Sequence, residues 1–218
     1  MGRSDSSTPS RRVRWIIATL VLAALLWFVP LFRVAPLKET RAATPAVAFD
    51  ASAYVEEFWS GSLLTRAADA VDAEALRAAL RTDPAAAAAE HGHRLGLGSS
   101  VFYLVSGRGT IVAVDDDSVS IALGEGKGTG VVIEIGPVFG NTIRDGSGLL
   151  DVSDFSNTRD FNAVSAEINR RVEEQVLSEL SARSAVGTAI AFTGATEASE
   201  SGPAPDILTV VPITITFP

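Results

Sequence analysis

At 218 residues with a formal net charge of −8 and no cysteine, the chain excludes disulfides, cysteine-based metal sites, thiol nucleophiles and the lipid-modified cysteine of a lipoprotein. The charge is unevenly placed: seven basic and two acidic residues up to Arg41 give +5, leaving eleven basic and twenty-four acidic residues, −13, for the remainder. An acidic domain of that kind repels phosphate backbones, so no nucleic-acid partner is expected.

Residues 1–14, with Arg3, Arg11, Arg12 and Arg14, read as a cytoplasmic tail. The run WIIATLVLAALLWFVPLF follows, residues 15–32 from Trp15 to Phe32, without a charge or a glycine. A helix of that length spans a hydrocarbon core about 30 Å thick. The charge bias across it is small, about +3 before against +2 after. A short basic tail, an apolar run and then a large domain nevertheless describe a signal anchor. The expectation is a single-pass protein of the cell membrane, N-terminus in, with its C-terminal domain extracytoplasmic. Cleavage as a signal peptide competes, because Ala46-Val47-Ala48 resembles a cleavage site. That site lies well past the apolar run, and bulky Phe32 with Arg33 occupies the favoured place. An uncleaved anchor is the reading.

Residues 33–48 read as a linker, and the extracytoplasmic domain as 49–218. Asp50 suits an N-cap, with Tyr54, Val55, Phe58 and Trp59 forming one apolar stripe. Such aromatics can form a binding platform, but core packing of a helix explains them better. Residues 63–80 continue as one or two helices, broken near Asp72. Asp83-Pro84 sets an acceptor at the N-cap and proline at the first helical position, and Gly92 stops that helix. Residues 49–98 are therefore expected to form a helical preface.

From Ser99 the period changes from 3.6 to 2. Residues 101–105, 110–114, 119–123 and 131–135 read as four short strands. Gly107-Arg108-Gly109 and Asp115-Asp116-Asp117 are the expected turns between them, and a glycine-rich hairpin spans 124–130. A loop over 136–156 precedes the longest helix, 158–182. Its apolar stripe is Phe161, Val164, Ile168, Val172, Val176 and Leu180, and Glu167, Arg170, Arg171, Glu173 and Glu174 fill its solvated side. Strands at 188–193 and 208–217 complete an α+β chain. The fold expected of 99–218 is an OB-like antiparallel β-barrel with one long helix; an open α+β sandwich is the alternative.

Few patterns carry chemistry. The glycines of 124–130 join two strands rather than opening a helix, which does not suit a phosphate cradle. Glu90, His91 and His93 have no third cluster to complete a metal site, and Asp115-Asp116-Asp117 lacks the spacing of a calcium loop. No catalytic residue, metal or cofactor is therefore assigned. A carboxylate pair among Asp145, Asp151, Asp154 and Asp160 would serve glycoside hydrolysis only at a suitable separation. The stretch around Gly136-Pro137-Val138-Phe139-Gly140 is the most informative. Arg144, Asp145, Asp154 and Asn157 there are the candidate ligand-binding residues, able to hydrogen-bond a sugar or another polar ligand. The competing view is that Arg144 and Asp145 pin the loop to the long helix.

In these same stretches the chain resembles a bacterial family of predicted periplasmic lipoproteins of unknown function. The resemblance rests on FDASAYVEEFW at 49–59, AEHGHRLG at 89–96, SGRGTIVAVDDDS at 106–118 and IGPVFGNTIRD at 135–145. Asp154-Phe155, Asn157, Asn169 and the closing FTGAT and VVPITI runs extend it. It implies an exported, membrane-tethered protein, often encoded beside sugar ABC-transporter components, with no established activity. This chain departs by lacking the lipidated cysteine, so the apolar run becomes the tether. The expected function is a non-catalytic accessory or ligand-binding module with transporter components as partners. A carboxylate-dependent hydrolase of envelope glycans and a structural envelope protein are the alternatives.

Overall fold

The computed structural model describes Trp15 and residues 49–96, 98–124, 126 and 128–218. The tail, the linker and all of the apolar run but Trp15 lie outside the described residues. Among the described residues no helix is long and apolar enough to cross a membrane. Phe49–Pro218 forms one compact unit.

The helical preface opens with α1 (Ala51–Glu57), whose first-turn amides at Ser52 and Ala53 donate to the Asp50 carboxylate. A π-helical turn, Phe58–Leu63, leads into α2 (Leu64–Ala67). Asp72 caps α3 (Ala73–Thr82) through the amides of Glu74 and Ala75. Asp83 caps α4 (Pro84–His91), with proline in the first turn where no amide is needed. Two strands of two residues each interrupt these helices. β1 (Val71–Asp72) pairs in parallel and β2 (Gly92–His93) antiparallel with the same long strand. The preface is thus stitched to the sheet.

That strand, β3 (Ser100–Val114), is continuous where two strands and a turn were expected. Its glycines mark packing. A Cβ on Gly107 would sit 2.7 Å from the Phe192 ring, and one on Gly109 would sit 2.0 Å from the Ala122 carbonyl oxygen. β4 (Ser118–Leu123), β5 (Val131–Glu134), β6 (Ala189–Ser199) and β7 (Leu208–Thr216) complete the sheet. Pairing runs β3–β4–β5–β7–β6 and returns from β6 to β3, so five strands close a ring. One pairing departs from the antiparallel expectation. β7 runs parallel to β5, because it returns from a hairpin with β6. Pro212 in β7 faces Gly194, next to a register shift where a missing amide is tolerated.

Val101, Val105, Ile111, Ile121, Ile133, Ile190 and Phe192 are among the apolar side chains these strands bury. The region expected as a loop contains a short helix, α5 (Thr142–Ser147), and a 3-10 turn, Val152–Asp154. Then comes the long helix: α6 (Thr158–Arg171), a π turn (Val172–Leu177) and α7 (Ser178–Arg183). The π turn adds a residue to one turn, so the buried stripe steps from Val172 to Leu177 instead of Val176. Phe49, Tyr54, Phe58, Phe155 and Phe161 form a chain of ring contacts that ties α1 to α6. The aromatics of the first helix are therefore core.

Candidate functional site

Arg144 and Asp145 sit on α5, a helix too short to be legible from periodicity. All of its residues from Ile143 to Ser147 are buried against β3 and β6. Arg144 is 3% and Asp145 5% exposed. The Arg144 Nε donates to the Asp145 carboxylate at 2.7 Å, and the guanidinium carbon lies 3.8 Å from the centre of the Phe161 ring. Its Nη1 stands 3.5 Å from both the Phe161 carbonyl oxygen and the Asn162 Oδ1. This buried ion pair, with the guanidinium against the Phe161 ring, ties α5 to α6.

The other two candidates are not joined to that pair. Asp154 is exposed and accepts the Asp151 amide, while the Asp151 carboxylate accepts the Ser153 amide in return. Asn157 is the N-cap of α6: its Oδ1 accepts the Asp160 amide at 3.0 Å and its Nδ2 donates to the Asp160 carboxylate at 2.8 Å. The hydroxyl and amide of Ser153 hold the Asp151 carboxyl below its ordinary value. Asp145, Asp151, Asp154 and Asp160 thus each hold a hydrogen bond in an ion pair or a helix cap.

A cleft of about 390 Å³ opens beside this lock, between residues 138–141 and α6. Two bonds build its wall. Asn169 Nδ2 donates to the Gly140 carbonyl at 3.0 Å, and the Val138 amide donates to Glu173 at 2.7 Å. Gly140 has a φ of +85°, a conformation that favours glycine and turns the chain toward the helix. Asn162, Ser165 and Asn169 line the helix side, and Phe139, 81% exposed, stands at the rim. Ser165 is 4% exposed and its hydroxyl has no hydrogen-bond partner among the described residues. Nearby, Arg170 is bound by Glu167 and Glu174, which raise its pKa. Arg170 in turn is the main cause holding the Glu167 carboxyl below its ordinary value.

Two other depressions are wider. One of about 540 Å³ lies on the sheet, where Ser106, Thr193 and Thr214 stand side by side on paired strands. Another, of about 610 Å³, lies along Ile135, Pro137, Leu177 and Ala182. The smaller cleft adjoins the Arg144–Asp145 pair through Asn162 and is also lined by Asn169 and Glu173, so it is the better candidate. Sequence reasoning placed Glu173 on a solvated face and passed over Asn162 and Ser165. The available signal was a row of uncharged polar residues, Asn162, Ser165 and Asn169, at helical spacings of three and four. Buried tyrosine Tyr103 also lacks a partner for its hydroxyl, and burial pushes its pKa up, but it lines no cleft described above.

Among known proteins, a family model described as "Predicted periplasmic lipoprotein (DUF2291)" matches residues 20–216. That description denotes extracytoplasmic, membrane-associated proteins. A comparison with curated proteins gives no match. Among solved structures, the crystal structure of an OB-fold protein from Thermotoga maritima is similar, with a TM-score of 0.69 and 24% identity. The match covers 78% of this chain and 99% of that one. At this identity the likeness establishes the fold, in agreement with the strand order.

Proposed function

We propose a ligand-binding role for this chain, which belongs to the predicted periplasmic lipoprotein family: a non-catalytic module that holds a small polar molecule outside the cytoplasmic membrane. The site is the cleft between residues 138–141 and α6. The observation that carries this reading is the cleft between residues 138–141 and α6, where the carboxamides of Asn162 and Asn169 and the Glu173 carboxylate are each hydrogen-bonded through one atom and keep a second polar atom for a ligand. Arg144 and Asp145 contribute from below, as the pair that fixes α5 and the Asn162 carboxamide beside the cleft.

The remaining parts of the role follow from the sequence. The chain has no cysteine, so residues 15–32 serve as the tether, with the N-terminus in the cytoplasm. Components of a sugar ABC transporter are the partners this reading favours. Its non-catalytic character is supported by the aspartates, whose carboxylates are engaged in caps and an ion pair.

The test is a thermal-shift screen of the full chain in detergent against a library of small polar metabolites. Binding stabilises the folded state by RT ln(1 + [L]/Kd), about 2.7 kcal/mol at a hundredfold excess over Kd. At least one compound is expected to raise the melting temperature of the native protein and not that of Asn169→Leu, which removes a carboxamide from the cleft. A library that shifts neither protein overturns the reading.

A further inference from the structure

We infer that the depression of about 540 Å³ on the sheet is a second binding site, and that it takes a small zwitterion. Its ligand carries an ammonium and a carboxylate together, the chemistry shared by free amino acids and short peptides. The inference is independent of the cleft beside α6 and uses none of its residues.

The strand registers lay out its floor. Asp72 on β1 pairs with Ser106 on β3, Ser106 with Thr193 on β6, and Thr193 with Thr214 on β7. Residues directly opposite one another share a face of the sheet, so these polar side chains form one row across four strands. Arg108 stands two residues along β3 on that same face, opposite Ala191, whose single methyl leaves space beside the guanidinium. Glu74, in the first turn of α3, lines the same depression. Asp72, Glu74 and Arg108 are exposed, and Ser106, Thr193 and Thr214 are half-buried, so all of them are open to a solute.

The fold leaves these groups capacity to bind. Among the described residues, the side chains of Arg108 and Glu74 have no ion-pair or hydrogen-bond partner, and the hydroxyls of Thr193 and Thr214 have no hydrogen bond. Ser106 donates its proton to the Ala70 carbonyl at 3.3 Å, which leaves its oxygen as an acceptor. One Asp72 oxygen serves the amides of Glu74 and Ala75, and the other is uncommitted. Opposite charges therefore share one cavity without neutralising each other. A ligand that covers them displaces water from both signs, and a charge stripped of water without a partner is costly. A lone anion meets two carboxylates and a lone cation meets Arg108, whereas a zwitterion pairs with both. The ammonium belongs beside Asp72, Glu74 and the Ser106 oxygen, and the carboxylate beside Arg108 and the Thr193 hydroxyl. At about 540 Å³ the cavity falls within the range of small-molecule sites, which suits one amino acid or a dipeptide.

Isothermal titration of the full chain in detergent tests this with the proteinogenic L-amino acids and with glycylglycine and alanylalanine. At least one of them is expected to bind. Its N-acetyl and carboxamide derivatives, which each lose one charge, are expected to bind about tenfold or more weakly. Arg108→Gln is expected to weaken the parent ligand by about tenfold and to leave the carboxamide derivative unchanged. Glu74→Gln is expected to weaken the parent and to spare the N-acetyl derivative. Both substitutions fall on exposed side chains, so native melting temperatures are expected, and the derivative comparison on the native protein needs neither variant. Tighter binding of amino acids than of dipeptides, or the reverse, tells the two sources of this chemistry apart. Asn169→Leu is expected to bind the ligand as the native protein does. A ligand lost in Asn169→Leu but kept in Arg108→Gln sits in the cleft beside α6, which overturns this inference and leaves the proposed function standing. Derivatives that bind as tightly as their parent overturn the zwitterion class, and a protein that binds none of these probes has no such site.

Discussion

Arg144 stands out in the sequence because a cation between apolar neighbours in a glycine-rich stretch is a common way to hold a polar ligand. In the fold it is enclosed, with Asp145 at 2.7 Å and the Phe161 ring against its guanidinium. Removing one partner of such a pair strands the other charge in a low-dielectric interior, which costs about 3–5 kcal/mol, whereas replacing both with apolar groups is often neutral. Arg144→Met is therefore expected to lower the unfolding free energy by about that amount in urea titrations. Arg144→Met combined with Asp145→Leu is expected to recover most of the loss. A full loss in the double variant would mean that the pair contributes more than charge neutralisation. Ser165 is the opposite case. A serine within an amphipathic helix carries no signal of its own, and it becomes conspicuous only when burial leaves its hydroxyl without a partner.

Elements were legible where their signals are local. The caps at Asp50 and Asp83 form, and Asp72 caps the helix after the expected break, since a side-chain acceptor and the amides it serves lie within three residues. The long strand β3 was not legible. Gly107-Arg108-Gly109 has the chemistry of a turn, and only the close approach of Phe192 and Ala122 shows why glycine is needed inside a strand. Gly107→Ala is expected to destabilise by about 1–3 kcal/mol through overpacking against the Phe192 ring. Phe192→Leu in the same chain should relieve part of it, a coupling that a double-mutant cycle in urea would measure. Strict additivity of the two substitutions would exclude contact between that Cβ and the ring as the cause. The π turn at Val172–Leu177 was equally hidden, because one added residue shifts the stripe without breaking it.

For the whole molecule, the OB-type ring depends on β3 pairing with both β4 and β6 and on β7 closing against β5. The preface is part of that assembly through β1 and β2. The proposed tether belongs to this scale too. Protease added to intact spheroplasts is expected to digest the C-terminal domain and to spare an N-terminal tag, with the protein resisting extraction by carbonate. A C-terminal domain shielded from protease would reverse the orientation. Native-detergent purification should also recover ABC-transporter subunits, and their absence under mild conditions would leave the module acting alone.

The sequence alone determined what depends on neighbours along the chain. The apolar run from Trp15 to Phe32, the acidic balance, the capped helices, the change of period at Ser99 and the family motifs are all short-range or compositional signals. The tertiary structure decided what depends on residues far apart: the ring closure and the joining of β3 into one strand. It also decided the burial of Arg144 with Asp145 and the cleft that Asn162 and Ser165 share with residues 138–141. A hydrogen bond made within a turn is fixed by spacing. Whether a hydroxyl ends up buried without a partner depends on every element that packs around it, and that is set only when the chain folds.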